Sequence, residues 1–300
     1  GRVRFRGEEI QGLTSHEIAA KGVRRTFQNG GLFNDLTALV NVLASLHTMI
    51  DSGFFGLLFG TAGSKNAERA EEKDPRWTLM QLLASPTIAS KTWVYRQYDS
   101  TVRTNTVIGP GGDAAVLRVR GASKGLAVKT DCNGRYCYLD PRMGARIAVA
   151  EAAPNVACAG GRPRAITNNL NFGNPKRPEV YHQLKEAVAG MAEACNALGT
   201  PVTGGNVSLY NEHPGGAVYP TPVVGMVGVL ESIDHATPAR FHEVGHDIVL
   251  LGEPTDELGG SEYLHTIHDV VAGAPPRCDL GRERALIDAL LDAIANDDVA

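Results

Sequence analysis

The chain is poor in the features that mark specialised protein classes. It has 5 cysteines in 300 residues, an odd number with no C-x-x-C pair. Scattered single cysteines argue against a disulfide framework and for a reducing compartment, with the cytoplasm as the default location. The apolar run Phe54-Phe55-Gly56-Leu57-Leu58-Phe59 is far too short to span a bilayer. No basic segment leads into an apolar stretch and a cleavage site, so neither a secretory signal nor membrane insertion is expected. Positive charge is not in excess: 29 Lys and Arg face 33 Asp and Glu, a formal net charge of -4. That balance removes the electrostatic reason to expect nucleic acid. The phosphate-cradling pattern G-x-x-x-x-G-K-[ST] occurs nowhere, which excludes a self-contained P-loop ATPase. No internal repeat is visible. An initiator methionine is also missing, and the chain starts inside a strand-like run, Arg2-Val3-Arg4-Phe5; it reads as a fragment.

What is present is an ordinary globular composition, 43% hydrophobic and 21% charged, long enough for one or two domains with a sizeable core. In the first segment, Glu17 to Lys21 reads as a short helix and Val23 to Phe27 as a strand. Thr37 can cap a helix carrying Val40, Leu43, Leu46 and Ile50. The polar stretch Gly63 to Lys73 is the best linker candidate. Few core contacts are therefore expected between residues 1–62 and 110–230.

Helical spacing resumes around Trp77 to Leu83. Strands are expected at Ala114–Val119, Leu126–Thr130, Pro201–Thr203 and Pro222–Leu230, sharing one sheet. Met143 to Ala150 reads as helix. The clearest helix opens at Pro178, a good first helical residue, and ends before Gly199 and Pro201. It lines Val180, Leu184, Val188, Met191, Cys195 and Leu198 on one face. A further strand is expected at Asp247–Leu251 and a closing helix with Leu286, Leu290 and Ile294. The mixture points to an α+β architecture.

Two polar stretches could carry chemistry. Thr203-Gly204-Gly205-Asn206-Val207-Ser208 follows a short apolar strand. Glycines let backbone N–H groups approach an anion, an asparagine oxygen suits a hard cation, and a serine can donate to a phosphate or amide oxygen. A plain hairpin turn is the alternative. Thr167-Asn168-Asn169-Leu170-Asn171 follows another short strand, and its amides belong on a loop or at a binding site. Asn168 and the Gly205–Ser208 stretch are expected to converge. His242/His246 and His265/His268 have metal-like spacing but read as surface histidines, and Cys132 and Cys137 as structural.

Many short motifs are in register with one family. Ile88-Ala89-Ser90-Lys91, Tyr95-Arg96-Gln97-Tyr98-Asp99, Thr130-Asp131-Cys132-Asn133, Tyr138-Leu139-Asp140-Pro141, Leu170-Asn171-Phe172-Gly173-Asn174-Pro175, Gly204-Gly205-Asn206-Val207-Ser208 and Leu258-Gly259-Gly260-Ser261-Glu262-Tyr263 resemble the second half of the phosphoribosylformylglycinamidine synthase family. The resemblance covers about residues 74 to 300. It implies an aminoimidazole-ribonucleotide-synthetase-like N-domain over 74–232 and a truncated C-domain over 243–300. It implies ATP and Mg²⁺ as cofactors, formylglycinamide ribonucleotide as substrate, and a glutaminase subunit and a small accessory subunit as partners. Carried over residue by residue, Gly205 contacts ATP, Asn206 ligates magnesium and Ser208 contacts the ribonucleotide. Asn168 stands where the family has an ATP-contacting aspartate. The family's catalytic histidine, ATP-contacting lysine and most magnesium carboxylates lie in its first half, so the chain alone is expected to be inactive. Pro154, within the helix-like stretch Glu151 to Cys158, also departs from the pattern; a proline inside a helix costs about 3 kcal/mol unless the helix kinks or ends there.

The first 73 residues resemble something else. Gly22-Val23-Arg24-Arg25-Thr26-Phe27-Gln28, then Leu32-Phe33, Leu36-Thr37 and Asn41-Val42, are similar to the ATP-binding subunit of branched-chain amino acid ABC transporters, with Gln28 at the Q-loop position. The chain thus reads as two unrelated pieces joined near Lys73-Asp74. A transporter ATPase fragment and a non-catalytic nucleotide-binding module are the rival readings.

Overall fold

A computed structural model describes residues 4–5, 8–9, 74–240, 247–252 and 257–296. The expected helix Glu17–Lys21, strand Val23–Phe27, Thr37-capped helix, Gln28, the Gly63–Lys73 linker and the His242/His246 pair lie outside these residues. The chain divides into two compact units. One comprises Gly1–Ala62 with Arg240–Asp247, the other Gly63–Ala239 with Ile248–Ala300. In the first, β1 (Arg4–Phe5) and β2 (Glu8–Glu9) pair antiparallel.

The second unit begins with α1 (Pro75–Ala84). Asp74, in the Asp-Pro pair, is its N-cap: the carboxylate accepts from Arg76 N–H at 3.0 Å, and Pro75 takes the first helical position. A short helix α2 (Thr92–Tyr95) and strands β3 (Thr106–Ile108), β4 (Ala115–Arg118) and β5 (Gly125–Asp131) follow. Next come α3 (Gly134–Leu139), α4 (Pro141–Cys158), β6 (Arg162–Asn171), α5 (Pro178–Leu198) and β7 (Val202–Ser208). A small hairpin, β8 (Glu212–His213) and β9 (Gly216–Ala217), leads into β10 (Thr221–Leu230). Helices α6 (Glu262–His268) and α7 (Leu280–Ala295) complete the unit.

Six strands form one mixed sheet in the order β3-β4-β5-β10-β6-β7. The four strands expected to share a sheet do so. All pairings are antiparallel except β6 with the edge strand β7. β10 alternates without a break: Pro222, Val224, Met226, Gly228 and Leu230 are buried and the residues between them half-buried. That period of two puts one face of the sheet against α4 and α5 and leaves the other open. The core is Val116, Ala127, Ile166, Phe172, Val224, Met226 and Leu230 meeting an alanine-rich face of α4 (Ala145, Ala148, Ala152, Val156) and Ala187, Met191 and Ala194 of α5.

α5 has the expected bounds. Gly199 sits at φ 69°, the left-handed conformation a Cβ would oppose, and Thr200 N–H returns to Cys195 O at 3.0 Å to close the helix end. One expectation fails and two are refined. The helix-like stretch Glu151 to Cys158 is helical, and α4 runs through Pro154 to Cys158. Pro154 lacks the N–H that would bond the Ala150 carbonyl one turn earlier, and Asn155 Nδ2 donates to the adjacent Glu151 carbonyl at 2.8 Å. Asp247–Leu251 is not a strand: no described strand pairs with it, and Ile248, Val249, Leu250 and Leu251 are 53–73% exposed. The closing helix is present as α7, with Ile294 buried as expected; Ile287 and Leu291 are buried beside it, and Leu290 packs half-buried against the core.

Candidate functional site

Both polar stretches that could carry chemistry are strands, not loops. Their apolar starts, Ile166 and Val202, pair, and after a one-residue shift at Thr203 the pairing continues into the polar residues. Thr167 faces Gly204, Asn168 faces Gly205, Asn169 faces Asn206 and Asn171 faces Ser208 across a parallel ladder. Residues about forty apart in sequence are thus adjacent, as expected. β7 can hold glycine and asparagine because it is the sheet's edge strand and is exposed along nearly its whole length.

Strand alternation divides the four carried-over residues between two faces. Asn168 lies on the helix side, where its Nδ2 donates to the buried Met191 Sδ of α5 at 3.5 Å. Gly205 lies beside it on the same face. A Cβ at Gly205 would stand 2.0 Å from Asn168 Oδ1 and 2.7 Å from its carbonyl oxygen. The glycine is therefore required by the asparagine next to it, apart from any anion. Asn206 and Ser208 lie on the open face with Asn169 and Asn171. Asn206 Nδ2 donates to Asn169 Oδ1 at 3.3 Å, which leaves the Asn206 Oδ1 as the outward hard donor. Asn171 Nδ2 donates to the Asn169 and Thr221 carbonyls at 3.0 and 3.4 Å. Ser208 Oγ donates to Asn211 Oδ1 at 3.3 Å, and Asn211 Nδ2 reaches the carbonyls of Ser208 and Phe172 at 2.9 and 3.1 Å. Asn211 thereby ties the end of β7 to the end of β6. Sequence reading singled out the asparagine run but not that Asn169 and Asn171 share a face with Asn206 and Ser208, for which the signal is the period of two along each strand; Asn211, beyond the strand, has no such signal.

A second feature lies away from these residues. A cavity of about 500 Å³ is lined by Thr87, Asp131, Cys132, Arg135, Glu151 and Tyr219, among others. Burial, and secondarily the Glu151 carboxylate, push the Asp131 pKa up to about 6, against the opposing pull of Lys129 and the Cys132 N–H. Arg135 reaches away to Glu262 of α6. Both side chains are largely buried, and Ser85 Oγ and Thr266 Oγ1 each donate to the same carboxylate at 2.8 Å. Among the described residues no three of His, Cys, Asp and Glu gather as a metal site, His265 and His268 included. No described helix is long and apolar enough to cross a membrane.

Comparison with known proteins places this geometry. Residues 111–230 match the family described as AIR synthase related protein, N-terminal domain. The phosphoribosylformylglycinamidine synthase subunit PurL of Moorella thermoacetica is 60% identical over 225 residues, 75% of this chain and 31% of that protein. PurL of Alkaliphilus metalliredigens is 56% identical over 227 residues, again 31% of its length. The chain therefore spans under a third of either relative. Among solved structures, Thermotoga maritima PurL complexed with FGAR is similar over 69% of this chain and 30% of that one, at 27% identity and a TM-score of 0.50. The similarity to a transporter ATPase over residues 1–73 finds no support in these matches. The described sheet and its helices have the AIR-synthase-related fold, and the relatives that share it are phosphoribosylformylglycinamidine synthase subunits of purine biosynthesis.

Proposed function

We propose that the chain carries part of the site of an ATP-dependent ligase that converts formylglycinamide ribonucleotide to the amidine, with ammonia drawn from glutamine. The observation that supports it is the parallel β6–β7 ladder, which sets Asn168 beside Gly205 and aligns Asn206 and Ser208 with two further amides. In that reading the open face takes the ribonucleotide through Ser208, held by Asn211, and the helix-side face of the β6–β7 pair takes the nucleotide at Gly205 and Asn168. Asn206 Oδ1 fits one position around Mg²⁺, since an amide oxygen is a hard donor and Asn169 fixes which end of the amide faces out. Magnesium, when bound, would neutralise charge on the transferring phosphoryl group. The remaining ligands would be phosphates and groups beyond these strands.

The substitution of asparagine for the family's aspartate at 168 lowers the negative charge at the nucleotide position and adds an amide donor, already engaged with Met191. A glutaminase subunit and a small accessory subunit are the expected partners, and the cytoplasm the expected location. The domain reading, 1–73, 74–232 and 243–300, belongs to the same proposal. So does the likeness of residues 1–73, with Gln28, to a transporter ATPase, which rests on its sequence motifs alone.

The test is equilibrium binding of a fluorescent ATP analogue to the 300-residue chain with and without Mg²⁺. Magnesium-dependent binding that Asn206→Ala weakens about tenfold, with folding unchanged, supports the reading. Binding that ignores both magnesium and Asn206 overturns it.

A further inference from the structure

Cys132 and Cys137 have no third or fourth ligand among the described residues to make a metal site, yet the fold sets them side by side. Cys132 directly follows β5, Asn133 is the N-cap of α3, and Cys137 is the fourth residue of that helix. The Asn133 side chain accepts from the N–H groups of Arg135 and Tyr136 at 3.1 and 3.3 Å, which fixes the turn. In such a turn the residue before the cap packs against the fourth helical residue, usually as a hydrophobic staple. Here both staple positions are cysteines. The neighbouring Cys132 thiol, together with burial, pushes the Cys137 thiol up, and neither cysteine is in a disulfide. Cys137 is fully buried, whereas Cys132 is half-buried and lines the 500 Å³ cavity.

We propose that Cys132 and Cys137 form an oxidation site: a hydroperoxide entering the cavity converts the thiol pair to a disulfide. The Cys132 sulfur attacks one peroxide oxygen, the O–O bond breaks, and the departing oxygen leaves as water or alcohol with the thiol proton. Cys132 becomes a sulfenic acid. The Cys137 sulfur then attacks the Cys132 sulfur, and the sulfenic oxygen departs as water with the Cys137 proton. Two thiols lose two electrons and the peroxide gains them. The roles follow from access: only Cys132 meets the cavity, and Cys137 is held against it. Cys137, fully buried beside Cys132 with its pKa raised by that neighbouring thiol and by burial, acts second, on a sulfur already oxidised. Cys158 and Cys278 are pushed up to about 11, chiefly by burial, and have no thiol beside them in this role. Closure would cross-link the first turn of α3, whose Arg135 holds Glu262.

Trypsin provides the readout, because it cuts after Lys129, Arg135 and Arg142 and so separates the two cysteines. The 300-residue chain is treated with hydrogen peroxide, its free thiols are alkylated, and it is digested without reduction. The expected product is peptide 130–135 linked to peptide 136–142, two hydrogens lighter than their sum. It should rise about tenfold over a dithiothreitol-treated control. In Cys137→Ser, Cys132 should instead be trapped by dimedone as the sulfenic acid. Peroxide treatment that leaves both cysteines alkylatable, drives Cys132 to sulfinic acid without linkage, or links it to another cysteine would overturn the proposal. If Cys137→Ser does not fold, the linked peptide from the unsubstituted chain decides alone.

Discussion

At the scale of single residues, the contact between Asn168 and Gly205 makes two positions forty residues apart one unit. Gly205→Ala puts a methyl group 2.0 Å from Asn168 Oδ1, too close for any real Cβ contact, so β7 must shift. A loss of about 2 kcal/mol is expected in denaturant unfolding. Adding Asn168→Ala removes the nearer of the two obstructing oxygens and leaves the carbonyl at 2.7 Å. The double variant should recover about 1 kcal/mol relative to the sum of the single changes. Additive losses would show that Gly205 is needed for another reason. Asp131 gives a pH test. Its folded pKa near 6 exceeds the ordinary carboxylate value of 3.8, so between these limits the folded state binds more protons than the unfolded one. Stability is therefore lost as pH rises from about 4 through about 6. Asp131→Asn should raise stability at pH 7 by about 2 kcal/mol and change it little below pH 4. Thermal melts of the two proteins across that range check the slope. The approach of Asn168 and Gly205 was legible in the sequence; the raised Asp131 pKa was not. Asp131 sits in an apolar-polar alternation that shows a strand but not the burial of its last residue, and the opposing Glu151 is contributed by a different element.

At the scale of elements, periodicity decided what was legible. β10 alternates over ten residues and α5 repeats its apolar face over 21, so both could be placed from sequence alone. The asparagine-rich end of β6 and the glycine-asparagine end of β7 could not. These residue types are depleted in strands, and only the parallel pairing at an open sheet edge overrides that preference. The opposite error occurred at Ile248–Leu251, which is strand-like in composition but has no described strand beside it. Its four exposed aliphatic side chains make it a template for association. Val249→Lys should reduce concentration-dependent light scattering of the chain without lowering its melting temperature; unchanged scattering would show that this segment is not the adhesive one. The Arg135–Glu262 pair joins α3 to α6, and Ser85 brings in the end of α1. Glu262→Ala leaves a largely buried guanidinium without its carboxylate. A loss of about 3 kcal/mol is expected, with faster hydrogen exchange in both α6 and α1. Protection lost in α6 alone would place Ser85 outside the network.

At the scale of the whole molecule, the proposed site is lopsided. One face of the sheet is filled by α4 and α5; the other shows Asn169, Asn171, Asn206 and Ser208 with no described layer over it. A phosphoryl-transfer site needs nucleotide, metal and acceptor amide held together, and positioning supplies much of the rate. The described residues bring amide and hydroxyl donors to such a site but no cluster of carboxylates. Magnesium is ordinarily held by carboxylates and phosphates together, and a lone asparagine oxygen cannot replace them. In the proposed reading, position 168 carries an amide where the resemblance implies a carboxylate. The chain alone is therefore expected to bind magnesium-nucleotide weakly and to turn nothing over. Formylglycinamide ribonucleotide, ATP and ammonia incubated with it should yield no amidine above background. Ammonia-dependent ADP release that disappears in Asn206→Ala would show the opposite: that these 300 residues assemble a complete site, with the missing charge supplied from residues outside the amide row.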